Sequence, residues 1–494
     1  MFRTITPERA GIDSAHIRAF LEMLENYHLA THAVIIAKGN DILFEHYTAP
    51  YHKDYCHRIY SSTKSFTAIG VGFAEQDGLL NINDKLSKYF PEESKITDNP
   101  DILDLTIKNL LMMRTAGRVT SNWFEARTDD RVAHYFKERS YTRRPDTEWE
   151  YDSNGSFILC ALVERVTGKD FMEYMREKFL DRIGFSKEAK MLKCPGGHSW
   201  GDSAMLCTAR DFLYTARFML NGGSWEGEQI LNKEYATAAT ARLGESAEGD
   251  PMSIRTQGYG YQFWRSIGNG FAFRGAASNI VLADFDSDMI LVVQADSQGR
   301  DSEVVPDDIY ARAFYQLIVK NLGEPLPESE AYNDLITYTK TLRLAEAVGD
   351  PVSYTEDDIN GVEYKLEENP MGITRFKLTF DTKGGCFDYT NAQGDKKIFF
   401  GRRGYGNAYC TFPQTGYSKD IGSVSEPGHT YECAASHAWE LMNTLVLRVQ
   451  IIDEYLAQLN IKFVFDGDNV KVTMDKVAED FLEEYKGEAV GKKA

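Results

Sequence analysis

Hydrophobic and polar positions follow two different patterns along the chain, and the change between them falls near residue 322. Before it, helical spacing at residues 12–26 and an apolar helix at 65–76 stand between β-like runs at 32–37 and 289–295. Because strand patterns occur at both ends and helical patterns between them, we predict one sheet assembled from distant segments and flanked by helices.

Beyond residue 322 the pattern becomes that of short strands. Residues 323–329 carry two closely spaced prolines and predict a linker, and helical spacing follows at 330–348. Strand-like segments then come at near-regular intervals, at residues 373–380, 385–390, 397–400, 407–412, 429–434, 443–451, 459–465 and 469–474. This spacing predicts an antiparallel sheet curled into a barrel or a sandwich, and residues 476–485 show one further helical stripe.

These patterns predict an α+β domain over residues 1–325, a linker with a helix over 326–350, and an antiparallel β-barrel-like domain over 351–494. Two or three domains also agree with the length of 494 residues. The texture of the C-terminal domain is similar to that of a lipocalin barrel, and we assign it no catalytic role.

The chain is acidic, with 55 lysines and arginines against 74 aspartates and glutamates and a formal net charge of −19. Such a surface repels nucleic-acid phosphates and anionic lipid headgroups, so neither nucleic acid nor a membrane is an expected partner. No apolar run approaches the roughly 18 residues of a membrane-spanning helix. The N-terminal residues lack the apolar core of a secretory signal, so we expect a cytoplasmic protein or one whose signal has been removed.

Seven cysteines are scattered through the sequence, at positions 56, 160, 194, 207, 386, 410 and 433. Their number is odd and no C-x-x-C occurs, so neither a disulfide framework nor a zinc site is expected. Reduced cysteines in the core of a cytosolic protein are the simpler interpretation. Five histidines between positions 28 and 57 likewise match no metal-binding spacing.

One Ser-x-x-Lys segment stands at the start of the first apolar helix, with Ser61 and Lys64 three residues apart. Three residues make nearly one helical turn, so the hydroxyl and the amine share a face at the helix start. A serine hydroxyl becomes a good nucleophile when a neighbour takes its proton, and a lysine does so when burial lowers its pKa. The plainer alternative is a helix-capping serine followed by a lysine that reaches into water.

Tyr151 is a second candidate, because it follows a turn-like Pro-Asp-Thr sequence and precedes a predicted apolar helix at 157–166. A phenol in such a loop projects into a cleft and, beside a lysine, serves as an acid or a base. The alternative is a loop tyrosine that packs its ring on the helix start. Trp123, Trp149 and Trp264 are candidate walls of an apolar pocket, with core packing as the alternative.

Several short motifs occur in a fixed order. They are residues 58–66 around Ser-x-x-Lys, 78–84 (similar to G-L-L-x-L-D-D), 110–117 (similar to L-L-x-x-T-S-G), Tyr151 at the tyrosine of Y-x-N, 258–264 (similar to G-Y-G-x-x-W) and 279–288. Through their joint order and spacing, residues 12–322 resemble the serine β-lactamase and penicillin-recognising family, in particular its esterase and amide-hydrolase branch. The resemblance implies a β-lactamase/transpeptidase-like domain, with an antiparallel sheet flanked by helices and a helical lobe.

Two positions depart from the pattern of this family. The asparagine of Y-x-N is replaced by Ser153, and the third motif, K-T-G or H-x-G, aligns with Phe273, Arg274 and Gly275. In the family that cation helps to bind a substrate carboxylate, so its absence argues against antibiotic recognition. Neighbouring strand residues face opposite ways, which argues against Arg274 as a substitute. The resemblance still makes Ser153, Arg274 and Gly275 the candidate substrate-binding residues.

The resemblance implies a mechanism that needs no metal and no organic cofactor. Ser61 attacks a carbonyl carbon to form an acyl-enzyme, Lys64 accepts its proton, and Tyr151 relays a proton to the leaving group. The backbone amides of Ser61 and Ala276 form the implied oxyanion hole. We therefore expect a cytoplasmic serine hydrolase that cleaves an ester or amide bond of a small molecule or peptide, and a homo-oligomer is left open.

Other functions stay open at this point. The altered third motif favours a non-catalytic or weakly active penicillin-binding-like protein that binds a ligand, whereas the intact Ser61, Lys64 and Tyr151 argue against it. A β-lactamase or D-amino-acid peptidase is another alternative. A G-x-S-x-G string around Ser199 matches the nucleophile elbow of α/β-hydrolases, but the flanking pattern gives neither the strand nor the helix it needs, so we interpret it as a chance match.

Overall fold

The structure is a computed structural model that describes residues 2–119, 128, 130–137, 139, 141–194, 196–298, 305–415, 430–478, 482 and 485–494. These residues form two compact units. The first runs through Ser297 and continues over residues 305–342, and the second runs from Arg343 onward and includes Gln298. Within the described ranges, every helix is too short or too polar to cross a membrane.

The main sheet of the first unit takes its strands from both ends of the unit's sequence, as predicted, and shorter strands lie between them. The strands are β1 (Arg3–Thr4), β2 (Thr31–Lys38), β3 (Asp41–Tyr47), β4 (His57–Arg58), β5 (Lys190–Met191), β6 (Met205–Cys207), β7 (Ser224–Trp225), β8 (Glu228–Gln229), β9 (Trp264–Ser266), β10 (Gly270–Gly275), β11 (Asn279–Asp284) and β12 (Met289–Ala295). The main sheet has the order β1-β3-β2-β12-β11-β10-β9. Its centre joins the two ends of the unit, because β2 pairs antiparallel with β12 and places Val34 opposite Val293.

Helices pack around this sheet. They are α1 (Ser14–Asn26), α2 (Thr63–Gln76), α3 (Pro100–Leu103), α4 (Ile107–Leu111), α5 (Arg131–Tyr135), α6 (Ser153–Thr167), α7 (Phe171–Met175), α8 (Ala209–Leu220), α9 (Lys233–Thr240), α10 (Pro306–Ala313) and α11 (Glu330–Thr339). Asp13 caps α1, since its carboxylate accepts the Ala15 N–H at 2.8 Å.

The central strands β11 and β12 are buried along their whole length and mostly apolar, because helices cover both faces of the sheet. On one face, Phe20 of α1 and Tyr310 of α10 share a core with Leu282 of β11. On the other face, Phe212 of α8 packs against Phe273 of β10, with ring centroids 5.4 Å apart. A strand buried on both sides shows a continuous apolar run instead of alternation.

Helix α2 is buried from Thr63 to Ala74, and this burial fixes the helix that begins at the candidate site. Two glycines allow its neighbours to come close. A Cβ on Gly70 would lie 2.6 Å from the Phe171 ring, and one on Gly72 would lie 2.4 Å from the Tyr235 ring. Larger residues at these positions would push the neighbouring helices away.

The second unit is a β-barrel with one short helix among its described residues. Its elements are α12 (Thr355–Ile359), β13 (Glu363–Leu366), β14 (Arg375–Phe380), β15 (Gly384–Asn391), β16 (Gly394–Arg402), β17 (Ala408–Thr415), β18 (Thr430–Leu441), β19 (Thr444–Ile452), β20 (Leu456–Asp466), β21 (Asn469–Val477) and β22 (Gly487–Lys493). Neighbouring strands follow the order β16-β15-β14-β13-β22-β21-β20-β19-β18, with β17 paired beside β18. A short parallel pairing of β16 with β18, Gly401 opposite Ser436, closes the ring.

The predicted succession of an α+β domain and an antiparallel β-barrel is confirmed, while some details of the barrel differ from the sequence prediction. The strands β13 and β22 were not predicted, although β22 pairs with both β13 and β21. The helix predicted at 476–485 is wrong at its start, where Lys476 and Val477 belong to β21. The rest of that segment includes residues 479–481, 483 and 484, which lie outside the described residues.

Two of the clustered histidines form a buried pair in the first unit. The His32 Nδ1 atom lies 2.8 Å from His57 Nε2, and His57 Nδ1 donates to the Arg58 carbonyl oxygen at 2.8 Å. Both imidazoles are buried, and burial lowers the pKa of His57 to about 4. Because the carbonyl fixes the proton on Nδ1, the neutral His57 ring accepts the His32 hydrogen bond at Nε2.

Acidification is expected to destabilise the fold around His57. Its folded pKa of about 4 lies below the ordinary 6.5, so the unfolded chain takes up the proton first as the pH falls. The free energy of unfolding of the first unit, measured by urea titration, should therefore drop between these two values, by on the order of 3 kcal/mol. His57→Gln should flatten this slope, and His52→Gln, at an exposed histidine, should keep it. An undiminished slope in His57→Gln would contradict the assignment.

Candidate active site

Ser61 and Lys64 meet at the start of α2. A 3₁₀ helix over Tyr60–Ser62 runs directly into α2, so the three-residue spacing becomes one continuous turn. Tyr60 adopts a φ of 48°, in the left-handed region that residues other than glycine rarely enter, and this bend immediately precedes Ser61. The Lys64 Nζ atom donates to Ser61 Oγ at 2.9 Å. Lys64 is only 2% exposed, so it does not reach into water as the plainer alternative required.

A second acceptor and a buried ion pair hold the Lys64 amine in place. Its Nζ atom donates to the backbone carbonyl of Asp202 at 2.7 Å. The Asp202 carboxylate lies 2.8 Å from Arg131 Nη1, and both side chains are almost fully buried. The Arg131 guanidinium also lies over the Phe157 ring, 4.1 Å from its centroid. Because buried charges are tolerated only when they are paired, this ion pair fixes the backbone that receives Lys64.

Tyr151 is positioned by the residue that follows it. Asp152 caps α6, and its carboxylate accepts hydrogen bonds from the Gly155 N–H at 3.0 Å, the Tyr135 hydroxyl at 3.1 Å and the Thr115 hydroxyl at 3.3 Å. Burial raises the pKa of Asp152, although these donors favour its charged form. The loop that carries Tyr151 is therefore anchored in the core.

The Tyr151 ring completes the cluster. Lys64 Nζ lies 5.0 Å from its centroid, and the ring stacks on Trp264 at 5.8 Å with an interplanar angle of 25°. Trp149 lies 6.5 Å from Tyr151 and 5.5 Å from Trp264, measured between ring centroids. The structure thus brings Ser61, Lys64 and Tyr151 together, although the sequence supplies them from separate segments.

Ser61 and Tyr151 open onto a cavity of about 510 Å³, which we call the Ser61 pocket. Among the described residues its lining consists of Ser61, Trp149, Tyr151, Ala247, Arg255, Trp264, Arg274, Gly275, Ala276, Ala277, Ser278, Ser297, Val305, Pro306 and Asp307. Trp149 and Trp264 form the predicted aromatic wall, and Trp123 lies outside the described residues. Ser153 begins α6 and is not part of this described lining. The volume suits a small molecule or a short segment of a peptide.

The residues of the third motif divide between the core and the pocket. Phe273 is fully buried and lies 6.0 Å from the Phe66 ring, while Arg274 lines the Ser61 pocket. We expected strand alternation to turn Arg274 away from the site, and this is wrong. Phe273 points into the core, so alternation turns its neighbour Arg274 towards the pocket. The Arg274 Nε atom lies 2.8 Å from the Asp307 carboxylate, and its guanidinium lies 5.5 Å from the Trp264 centroid.

Gly275 allows β10 to come close to the segment that carries Ser61. A Cβ at this position would lie 2.1 Å from the Ile59 carbonyl oxygen, so a larger residue would force the strand away. The backbone amides of Ser61 and Ala276 are the predicted oxyanion hole. Ser61 follows Ile59 and Ala276 follows Gly275 in the sequence, and both residues line the pocket.

Two charged residues of the pocket, Asp307 and Arg255, were missed by sequence reasoning. Asp307 lies in the first turn of α10 and accepts a hydrogen bond from Ser278 Oγ at 2.8 Å. Arg255 lies in an irregular segment before β9, where burial and then the nearby Arg274 lower its pKa. Neither residue belongs to a recognisable motif, so only folding shows that they face the site.

Ser199 of the G-x-S-x-G string has a structural position. It is fully buried, and its Oγ accepts a hydrogen bond from Lys193 Nζ at 2.8 Å. The string lies in the turns between β5 and β6, so Ser199 does not stand on the strand-to-helix corner that a nucleophile elbow requires.

A family model described as Beta-lactamase matches residues 15–316, which is more than half of the chain. The chain belongs to the beta-lactamase family. The family resemblance drawn from the motifs is confirmed, and the sheet and the flanking helices of the first unit have the β-lactamase/transpeptidase-like fold that it implied.

The matched relatives are distant. The chain is 25% identical over 251 residues to 6-aminohexanoate-dimer hydrolase of Paenarthrobacter ureafaciens, covering 47% of this chain and 64% of that protein. It is 24% identical over 196 residues to penicillin-binding protein 4* of Bacillus subtilis (strain 168), covering 35% of this chain and 40% of that protein. The matches thus span less than two thirds of these relatives. The solved structure of D-amino acid amidase from Ochrobactrum anthropi SV3 has a TM-score of 0.50 at 16% identity, covers 62% of this chain and 99% of that one, and shows the fold alone.

Removing the arginine of the buried ion pair is expected to destabilise the first unit. Arg131→Met leaves the Asp202 carboxylate buried without its charged partner, so the free energy of unfolding in urea should fall by about 3–5 kcal/mol. Lys95→Met is the control, because the Lys95–Glu92 pair is exposed, with 68% and 78% of the side chains accessible. Its effect should stay below about 1 kcal/mol. Equal small losses in the two variants would contradict the role of the buried pair.

Proposed function

We propose that the first unit is a serine hydrolase that cleaves an ester or amide bond of a small molecule or peptide through an acyl-enzyme. The observation that carries the proposal is the 2.9 Å contact between the buried Lys64 Nζ and Ser61 Oγ, at the edge of the Ser61 pocket. An amine in this position can take the hydroxyl proton as the oxygen attacks. The 25% identical relative named 6-aminohexanoate-dimer hydrolase supports hydrolysis as the reaction class.

In the proposed reaction, Ser61 Oγ attacks the substrate carbonyl carbon while the Lys64 amine accepts the hydroxyl proton. The carbonyl oxygen becomes an oxyanion, to which the backbone N–H groups of Ser61 and Ala276 donate. When the carbon–heteroatom bond breaks, Tyr151 delivers a proton to the leaving alcohol or amine. Lys64 returns the serine proton to Tyr151. A water molecule then attacks the acyl-enzyme and gives a proton to the Tyr151–Lys64 pair. As the bond between the acyl carbon and Ser61 Oγ breaks, the pair donates a proton to Oγ, which releases the acid and restores Ser61.

Arg274 and Gly275 are the proposed substrate-binding residues of the pocket. The Arg274 guanidinium is oriented by Asp307 through Nε, and its terminal nitrogens remain donors for a substrate carboxylate or carbonyl. Gly275 places the neighbouring backbone beside the attacked carbon. Ser153, at the start of α6 and two residues beyond Tyr151, stays a proposal for a contact with a larger substrate.

A second candidate function is ligand binding without turnover. It is favoured by Phe273, a core aromatic residue at the position of the third-motif cation. The same feature disfavours β-lactam or D-amino-acid peptide hydrolysis as the natural reaction. A protein that only binds has no chemical need to bury Lys64 against Ser61, so hydrolysis is the better-supported proposal.

A fluorophosphonate probe tests the nucleophile directly. We expect a single covalent adduct on Ser61 in the full chain, seen by intact mass and peptide mapping, because only an activated hydroxyl attacks phosphorus at a useful rate. Lys64→Met and Tyr151→Phe should each slow the labelling and the hydrolysis of an activated ester by roughly 10²–10⁴-fold. Circular dichroism checks that the variants are folded.

Two variants serve as controls for this labelling. Ser61→Ala should take up no probe, and Ser199→Ala should be labelled like the wild type. Probe on Ser199 would falsify the assignment of the nucleophile, and a folded wild type that takes up no probe would favour ligand binding without turnover.

The role of Arg274 is tested by substrate charge. For matched esters with and without a carboxylate, Arg274→Gln should lower kcat/KM for the charged ester by roughly 10–100-fold, because hydrogen bonds to charged groups contribute more than neutral ones. The neutral ester should lose far less. Arg242→Gln, at an exposed arginine paired with Glu245, is the matched control and should leave both substrates unchanged. An equal loss for both esters in Arg274→Gln would assign that residue a structural role only.

A further inference from the structure

Cys410 and Cys433 lie directly opposite each other in the second unit. Cys410 belongs to β17 and Cys433 to β18, and the two residues are register partners in this antiparallel pair. Their Sγ atoms are 3.4 Å apart. Opposed residues of an antiparallel pair have Cβ atoms about 4.5–5.5 Å apart, close to the upper end of the range of about 3.5–4.5 Å in disulfides. A small rotation of the two side chains is therefore enough to bring the sulfurs to bonding distance.

The two thiols differ in ways that give each a separate role. Cys433 is buried, whereas Cys410 is partly exposed. The hydrogen bond from the Cys433 thiol lowers the pKa of Cys410 to about 7, and the same contact raises the pKa of Cys433. The nearby Cys386 has its pKa raised to about 11 by burial. Because the thiolate is the reactive form, Cys410 is the thiol placed to react first.

We propose that Cys410 and Cys433 form a redox-active dithiol, which a small disulfide such as oxidised glutathione converts into an intramolecular disulfide bond. The Cys410 thiolate attacks one sulfur of oxidised glutathione, forms a mixed disulfide and expels one glutathione thiolate. Cys433 then loses its proton and attacks the Cys410 sulfur, which forms the Cys410–Cys433 bond and expels the second glutathione. Two electrons pass to the oxidant, and the two cysteine protons end on the two glutathione thiols.

The bond would act on the strand that carries Cys410. Among the described residues, β17 pairs through its backbone with β18, and it is the last strand in the order of the barrel sheet. A covalent link at Cys410–Cys433 ties this strand to its neighbour and restricts the unfolded chain between them. The proposal is independent of the hydrolase assignment, since both thiols belong to the second unit.

To test the proposal, the reduced full chain is treated with oxidised glutathione under native conditions. The remaining free thiols are then alkylated, and the products are identified by intact mass and peptide mapping. We expect the wild type to lose the mass of two hydrogen atoms, to contain a Cys410–Cys433 cross-linked peptide, and to melt at a temperature several degrees higher than the reduced form. Before oxidation, Cys410 should react with iodoacetamide at least roughly tenfold faster than Cys386.

Three variants separate the roles of the thiols. Cys433→Ser should stop at the first step and keep one glutathione on Cys410, whereas Cys410→Ser should form neither the mixed disulfide at that position nor the cross-link. Cys386→Ser, the matched control, should behave as the wild type. A wild type that keeps its full mass, a cross-link through Cys386, or glutathione on a cysteine other than Cys410 in Cys433→Ser would each overturn the proposal. The wild-type mass and mapping decide the question even if one variant fails to fold.

Discussion

The first unit is organised around the burial of one amine. Lys64 Nζ is withdrawn from water, so its hydrogen bonds must be supplied by the protein, and they go to Ser61 Oγ and to the Asp202 carbonyl oxygen. The second acceptor comes from a turn far along the chain, which has to be held still for the contact to persist. The Arg131–Asp202 ion pair does this, with Arg131 supplied by α5. The candidate nucleophile is thus positioned only when α2, α5 and the turn at Asp202 are packed together.

The other wall of the Ser61 pocket depends on close approach of a strand. Gly275 lets β10 lie against the Ile59 carbonyl, and the alternation of β10 then sends Phe273 into the core and Arg274 into the pocket. The described charged residues of the pocket are therefore mostly positive, whereas the chain as a whole is negative. The chain carries a formal net charge of −19, yet Arg255 and Arg274 line this cavity beside a single described carboxylate, that of Asp307. This balance of charge agrees with the proposed binding of a substrate carboxylate.

The second unit is a closed ring of strands around an aromatic core. Its ring of strands is closed by a short parallel pairing, and its interior is filled by aromatic rings such as Phe376, Phe387 and Phe463, with centroids 5.3–5.8 Å apart. Such an interior is a core packed with side chains, so the candidate chemistry of this unit lies elsewhere. The candidate chemistry of this unit therefore lies at β17 and β18, where the register places Cys410 opposite Cys433.

The sequence by itself determined the elements whose signal is local. The stripe and cap of α1, the continuous apolar runs of β11 and β12, the change of texture after residue 322 and the Ser61–Lys64 spacing could all be predicted, because each depends on neighbours within one turn or one strand. The polar strand β22 gave no such signal, since it is held by backbone pairing with β13 and β21. The Asp202 carbonyl, the Asp307 carboxylate, the pocket-facing side of Arg274 and the meeting of Cys410 with Cys433 were decided only by the tertiary structure. Each of these depends on a contact between residues far apart in the chain, which composition and periodicity do not encode.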